Sequence, residues 1–175
     1  MKNLIFIFLL LGTGVSAQES PTIKELLNHV VGGTWSSTNS TNEGKPEDYK
    51  LFFMSFKNWA DDSSVTGSIF GVQNNGDTIQ LIEVWNFIDR SKGNLFYVQR
   101  TTWGWYGTGT ISRYEEKHLD IQFKITTPEG QQFYTRDLHY IDSKHKMRAI
   151  TFHKATEDEE WKEASRSEWT RIIKQ

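Results

Sequence analysis

The chain of 175 residues carries a formal net charge of −2 and no cysteine, which excludes disulfide staples, thiol chemistry and thiolate metal sites. So even a balance leaves no electrostatic footprint for nucleic acid or an anionic membrane. The aromatic content is high, with seven Trp, eleven Phe and six Tyr, a supply suited to a small β-core and to the walls of a ligand pocket.

Met1-Lys2-Asn3 is a short basic start, Leu4 to Leu11 an apolar run, and Val15-Ser16-Ala17 the small-residue pattern of a signal-peptidase site. The run is shorter than the roughly 20 residues of a permanent membrane helix. Residues 1–17 are therefore predicted as a signal peptide, and residues 18–175 as one secreted or periplasmic domain. The rival reading is an anchor that stays uncleaved. The mature chain is long enough to bury a core without staples.

Pro21 to Val31 reads as a helix. Thr22 and Glu25 have capping-box spacing, Ile23, Leu26, Leu27, Val30 and Val31 form one apolar stripe, and Gly32-Gly33 stops it. Such a helix either caps one end of a β-body or packs on its outside. Short strands follow: from Gly33-Thr34-Trp35, then Tyr49–Lys57, Val65–Val72, Thr78–Ile88, Leu95–Trp103, Trp105–Tyr114, Leu119–Thr126, Gln132–Ile141, Lys146–His153 and Ser165–Ile173. Asn74-Asn75-Gly76-Asp77 is a hairpin turn, since Asn and Gly tolerate positive φ. Pro128-Glu129-Gly130 fits a type I turn followed by a left-handed glycine. Gly107 and Gly109 share a face, which implies bending or close backbone approach. About ten strands joined mainly by short turns, with no parallel crossover helix, predict an all-β, antiparallel up-and-down barrel, because closure removes exposed edges.

A helix, then Gly33-Thr34-Trp35 on the first strand, then a ten-strand meander ending in Glu168-Trp169-Thr170-Arg171-Ile172, resembles the calycin superfamily. Within it the chain is most similar to lipocalin-like and nitrobindin-like barrels of small exported bacterial proteins. The resemblance implies that Trp35 plugs the base and that Arg171 packs over it, a cation–π contact of about 0.5–2 kcal/mol. It also implies an interior that holds a small molecule. Nitrobindin-like barrels bind haem through a histidine, so haem is the one cofactor the resemblance raises.

Of the five histidines, only His139 and His153 lie in strands that could face inward. If Pro128-Glu129-Gly130 is a three-residue loop, Thr127 pairs with Gln131, Ile125 faces Phe133, and Leu119 faces His139. A two-residue turn would put Tyr134 and Arg136 inside instead. Glu83 shares a face with Leu81, Trp85 and Phe87. If Phe87 pairs with Phe96, Glu83 lies opposite Arg100, either as an inward pair orienting a ligand's polar group or as an outer-face ion pair. Trp103-Gly104-Trp105-Tyr106 is either a ligand-stacking rim or a plug of the barrel mouth.

The resulting expectation is an exported barrel binding a small, mostly apolar molecule. Its contacts would be Trp85, Tyr97, Trp105, Phe123, Phe133 and His139, with Glu83 and Arg100 as polar anchors. After loss of the leader it would not insert into a membrane. No zinc spacing, P-loop or dinucleotide motif occurs, so no metal is expected. Two other classes stand beside it: an isomerase-type or hydrolytic cavity enzyme using Glu83, His139 or Arg136, and a barrel filled by its own side chains.

Overall fold

A computed structural model describes residues 22–58, 64–89, 94–115 and 117–172. The predicted signal peptide, the end of the closing strand at Ile173, and most of the Asn58–Ser64 and Asp89–Gly93 connections lie outside the described residues. The helix, α1 (Ile23–Val30), is capped by Thr22. Its side chain accepts from the Glu25 amide while the Glu25 carboxylate accepts from the Thr22 amide, closing the capping box. Gly32 follows with φ +74, a left-handed turn that ends the helical path.

Ten strands follow: β1 (Thr34–Thr38), β2 (Tyr49–Asn58), β3 (Ser64–Gln73), β4 (Thr78–Asp89), β5 (Asn94–Thr101), β6 (Tyr106–Tyr114), β7 (His118–Thr126), β8 (Gln132–Ser143), β9 (Lys146–Lys154) and β10 (Lys162–Ile172). Each pairs antiparallel with its chain neighbours, and β1 pairs with β10, so the sheet is a closed barrel. The boundaries differ from expectation for local reasons. β5 stops at Thr101 because the Thr101 amide bonds the Trp105 carbonyl at 2.8 Å and Gly104 takes φ +87, a tight turn where continued strand was predicted. β10 starts earlier, at Lys162, because an irregularity between Glu163 and Ser165 lets Lys162 pair with His153.

The β7–β8 turn sets the register on which the interior depends. The Thr127 amide bonds the Gln131 carbonyl at 2.9 Å and Gly130 sits at φ +81, the three-residue form. Ile125 therefore faces Phe133, and Leu119 faces His139. Leu119, Ile121, Phe123 and Ile125 are all buried, and Asp137 and His139 share the inner face with them by alternation.

The helix closes one end of the barrel. Leu26 and Leu27 join an apolar cluster with Val84, Leu95, Ile111 and Leu119. Val30 joins a second, with Trp35, Met54 and Met147. The indole of Trp35, 1 % exposed, donates to the Val30 carbonyl at 3.0 Å. The Arg171 guanidinium lies 4.8 Å over that indole and donates to the His29 carbonyl. A Cβ at Gly33 would come within 2.9 Å of Arg171 Nε. The glycine of Gly33-Thr34-Trp35 is thus the gap through which the arginine reaches the helix end. At mid-barrel, a Cβ at Gly109 would meet the Gln122 carbonyl oxygen at 1.9 Å and Phe123 Cα at 2.5 Å, so β6 lies against β7 more closely than any side chain allows.

Candidate functional site: a polar-floored cavity inside the barrel

Between the helix and the aromatic residues of the other end lies a cavity of about 190 Å³. Its walls are mostly apolar: Leu27 and Val30 from α1, with Ile69, Val84, Ile111 and Trp169 among those from the strands. Into this enclosure project Asn86, Tyr97, Gln99, Asp137, His139 and Thr151. A cavity of about 150 Å³ holds one benzene, so this one suits a molecule of a single ring or its equivalent. It is several times too small for the four pyrrole rings of a haem.

The polar groups come from two parts of the barrel wall, β4–β5 and β8–β9, with β6 and β7 between them. Asn86 pairs with Tyr97 across β4–β5, and Val84 with Gln99. Asp137 pairs with Thr151 across β8–β9, and His139 with Ala149. The Tyr97 hydroxyl donates to Gln99 Oε1 at 2.6 Å. Burial, reinforced by the nearby Asp137 charge, holds the phenol well above its usual range. Burial pushes the Asp137 carboxyl from 3.8 up to about 6, with a Thr151 hydroxyl bond pulling the other way. Burial alone depresses His139 from 6.5 to about 4, so its imidazole is neutral across the physiological range. Two acceptors are left over: Asn86 Oδ1 and Asp137 Oδ1 are buried with no hydrogen-bond partner.

The expected site residues divide into three groups. Tyr97 and His139 line the cavity. Phe123, Phe133 and Trp105 lie beyond it, toward the loop end. Phe123 stacks on Tyr97 at 4.9 Å, Trp105 meets Phe133 edge-on at 5.6 Å, and Trp103 meets Trp105 edge-on at 6.0 Å. The Trp103–Tyr106 turn is therefore a plug with an exposed outer margin, Trp103 and Tyr106 being about half exposed, and it does not supply the cavity's walls.

Glu83, Trp85 and Arg100 do not line this cavity. Glu83 does pair with Arg100, and Phe87 with Phe96, as expected, but on the outer face. The 2.7 Å Glu83–Arg100 ion pair has its arginine 68 % exposed, and that guanidinium leans toward Trp85 at 5.9 Å. The reason is register. Trp85 pairs with Val98 whereas Asn86 pairs with Tyr97, so Tyr97 and Trp85 cannot point to the same side. Arg136 is outside too, bound bidentately to Asp120 at 3.0 and 2.8 Å. Glu83, Arg136 and His139 consequently do not converge, and a catalytic set built from them is not present.

Asp137, Asn86 and Gln99 were not among the expected residues. For Asp137 a signal existed: it precedes His139 by two on the same strand and so shares its face. Among the described residues there is no cluster of three metal-ligating side chains and no helix long and apolar enough to cross a membrane. Comparison of the sequence with protein-family profiles and with curated proteins yields no match.

Proposed function

We propose that this protein is an exported, calycin-like barrel that holds one small, mostly apolar molecule in its interior. The observation that carries the reading is the pair of partnerless buried acceptors, Asn86 Oδ1 and Asp137 Oδ1, on the wall of a mostly apolar cavity. Leaving such a group unpaired costs about 1–3 kcal/mol, and a guest with a donor group removes that cost. Membership of the calycin superfamily is part of the proposal, supported by the closed ten-strand topology and by Arg171 over Trp35. A charged outer face, with ion pairs Glu83–Arg100, Asp120–Arg136 and Glu163–Arg166, favours a barrel in water. Arg or Lys on a lipid-facing strand costs about 2–4 kcal/mol at the bilayer midplane.

The test is native mass spectrometry of freshly purified protein. The expected spectrum shows a bound small molecule that is lost on denaturation. The same preparation of Ala149→Phe, which fills the cavity from a buried wall position, should carry none. Identical adducts on both proteins would place the guest elsewhere and end the proposal.

A further inference from the structure

We propose that the cavity selects a small primary amine in its protonated form, with the Asp137 carboxylate as counter-charge and the Thr151 hydroxyl beside it as a further acceptor. This deepens the cavity-binding reading and rests on it. The argument is one of unmatched charge. Of the described residues lining the cavity, only Asp137, His139 and Tyr97 are ionisable. Among the described residues, no Lys or Arg from α1 or from a strand lines the cavity opposite Asp137. Tyr97, on β5, is neutral and already donates its hydroxyl hydrogen bond to Gln99. His139, on β8 beside Asp137, is neutral above about pH 4. The carboxylate therefore has no cation, and a buried charge without one is among the costliest arrangements a protein can hold.

An ammonium group meets the rest of the inventory as well. It offers three donors and no acceptor, and the cavity's two unsatisfied atoms are both acceptors. A carboxylate or phosphate guest would set like charges together, and a neutral hydrocarbon would leave both acceptors unmet. The Thr151 hydroxyl beside Asp137 can accept another of the ammonium donors. The apolar walls from Ile69, Val84, Ile111 and Trp169 then surround a body of about one ring, given that about 150 Å³ suffices for benzene.

The experiment is calorimetric titration of protein stripped of any guest by unfolding and refolding, with benzylamine and with its neutral counterpart of equal size, benzyl alcohol. At about pH 7.5 benzylamine is expected to bind at least about tenfold more tightly, because only it neutralises Asp137. An aliphatic ammonium stays protonated throughout the range. Lowering the pH to about 5 protonates Asp137 and is expected to weaken benzylamine about tenfold while leaving benzyl alcohol unchanged. Asp137→Asn should abolish the amine preference. Equal affinities, a benzylamine affinity independent of pH, or a preference that survives Asp137→Asn would overturn the inference. Should that variant not fold, the wild-type pH comparison decides alone. Binding of benzyl alcohol without amine preference would leave the cavity-binding reading standing, whereas binding of neither probe would remove both.

Discussion

Asp137→Asn is the most informative single change to the stability of this barrel. Burial lifts the carboxyl from 3.8 to about 6, so at about 1.4 kcal/mol per pKa unit the ionised side chain costs the guest-free fold about 3 kcal/mol at neutral pH. The sign follows from proton counting. Between the two values the folded state holds a proton that the unfolded state has released. Asp137 thus favours the fold fully below about pH 3.8 and loses that contribution as pH rises to about 6. Asparagine has nearly the same shape and no titration. Urea unfolding of both proteins, freed of any guest, should give a difference that moves by about 3 kcal/mol in favour of the variant between about pH 4 and pH 8. The variant's amide has its own hydrogen-bonding needs, which offset the whole curve but do not tilt it. A difference that is flat across that range, or that favours the aspartate more as pH rises, would refute the reasoning.

His139 gives the opposite slope: with its pKa depressed from 6.5 to about 4, its contribution is complete above pH 6.5. About 3 kcal/mol is then lost as pH falls toward 4, a loss that His139→Leu should remove in the same urea series. Arg171→Ala forfeits the indole contact and the bond to the His29 carbonyl. It should cost about 1–3 kcal/mol, read as a lower melting temperature. Gly109→Ala drives a methyl group into the backbone of β7. A loss of at least about 3 kcal/mol is expected, and a change within about 0.5 kcal/mol in urea unfolding would show that β6 and β7 are not so tightly apposed.

What could be read from the chain was decided by where turns constrain register. Pro128-Glu129-Gly130 allowed two turn lengths, and from the three-residue form Ile125–Phe133 and Leu119–His139 follow by counting. Both sides of β4 carry large apolar residues: Leu81, Trp85 and Phe87 against Ile82 and Val84. There alternation gives no direction, and the Asp89–Gly93 connection does not single out a face. The cavity's chemistry was hidden for a related reason. Asn86, Gln99 and Asp137 are polar residues on inner faces, and polarity in a strand ordinarily marks the solvent side. The same rule that finds a barrel's wall therefore passes over the polar residues within it.

The seam between β1 and β10 has a consequence for the order in which the molecule comes together. Ser36 reaches the Thr170 carbonyl across 134 positions of chain, and Arg171 reaches His29 across 142. β10 is the last of the ten strands in chain order, so until it docks the sheet has two raw edges, those of β1 and β9. Folding rates fall as contacts grow more distant along the chain, and bare edges recruit other strands. Loss of β10 alone should thus leave a sticky, open ribbon whose helical lid has lost its arginine latch.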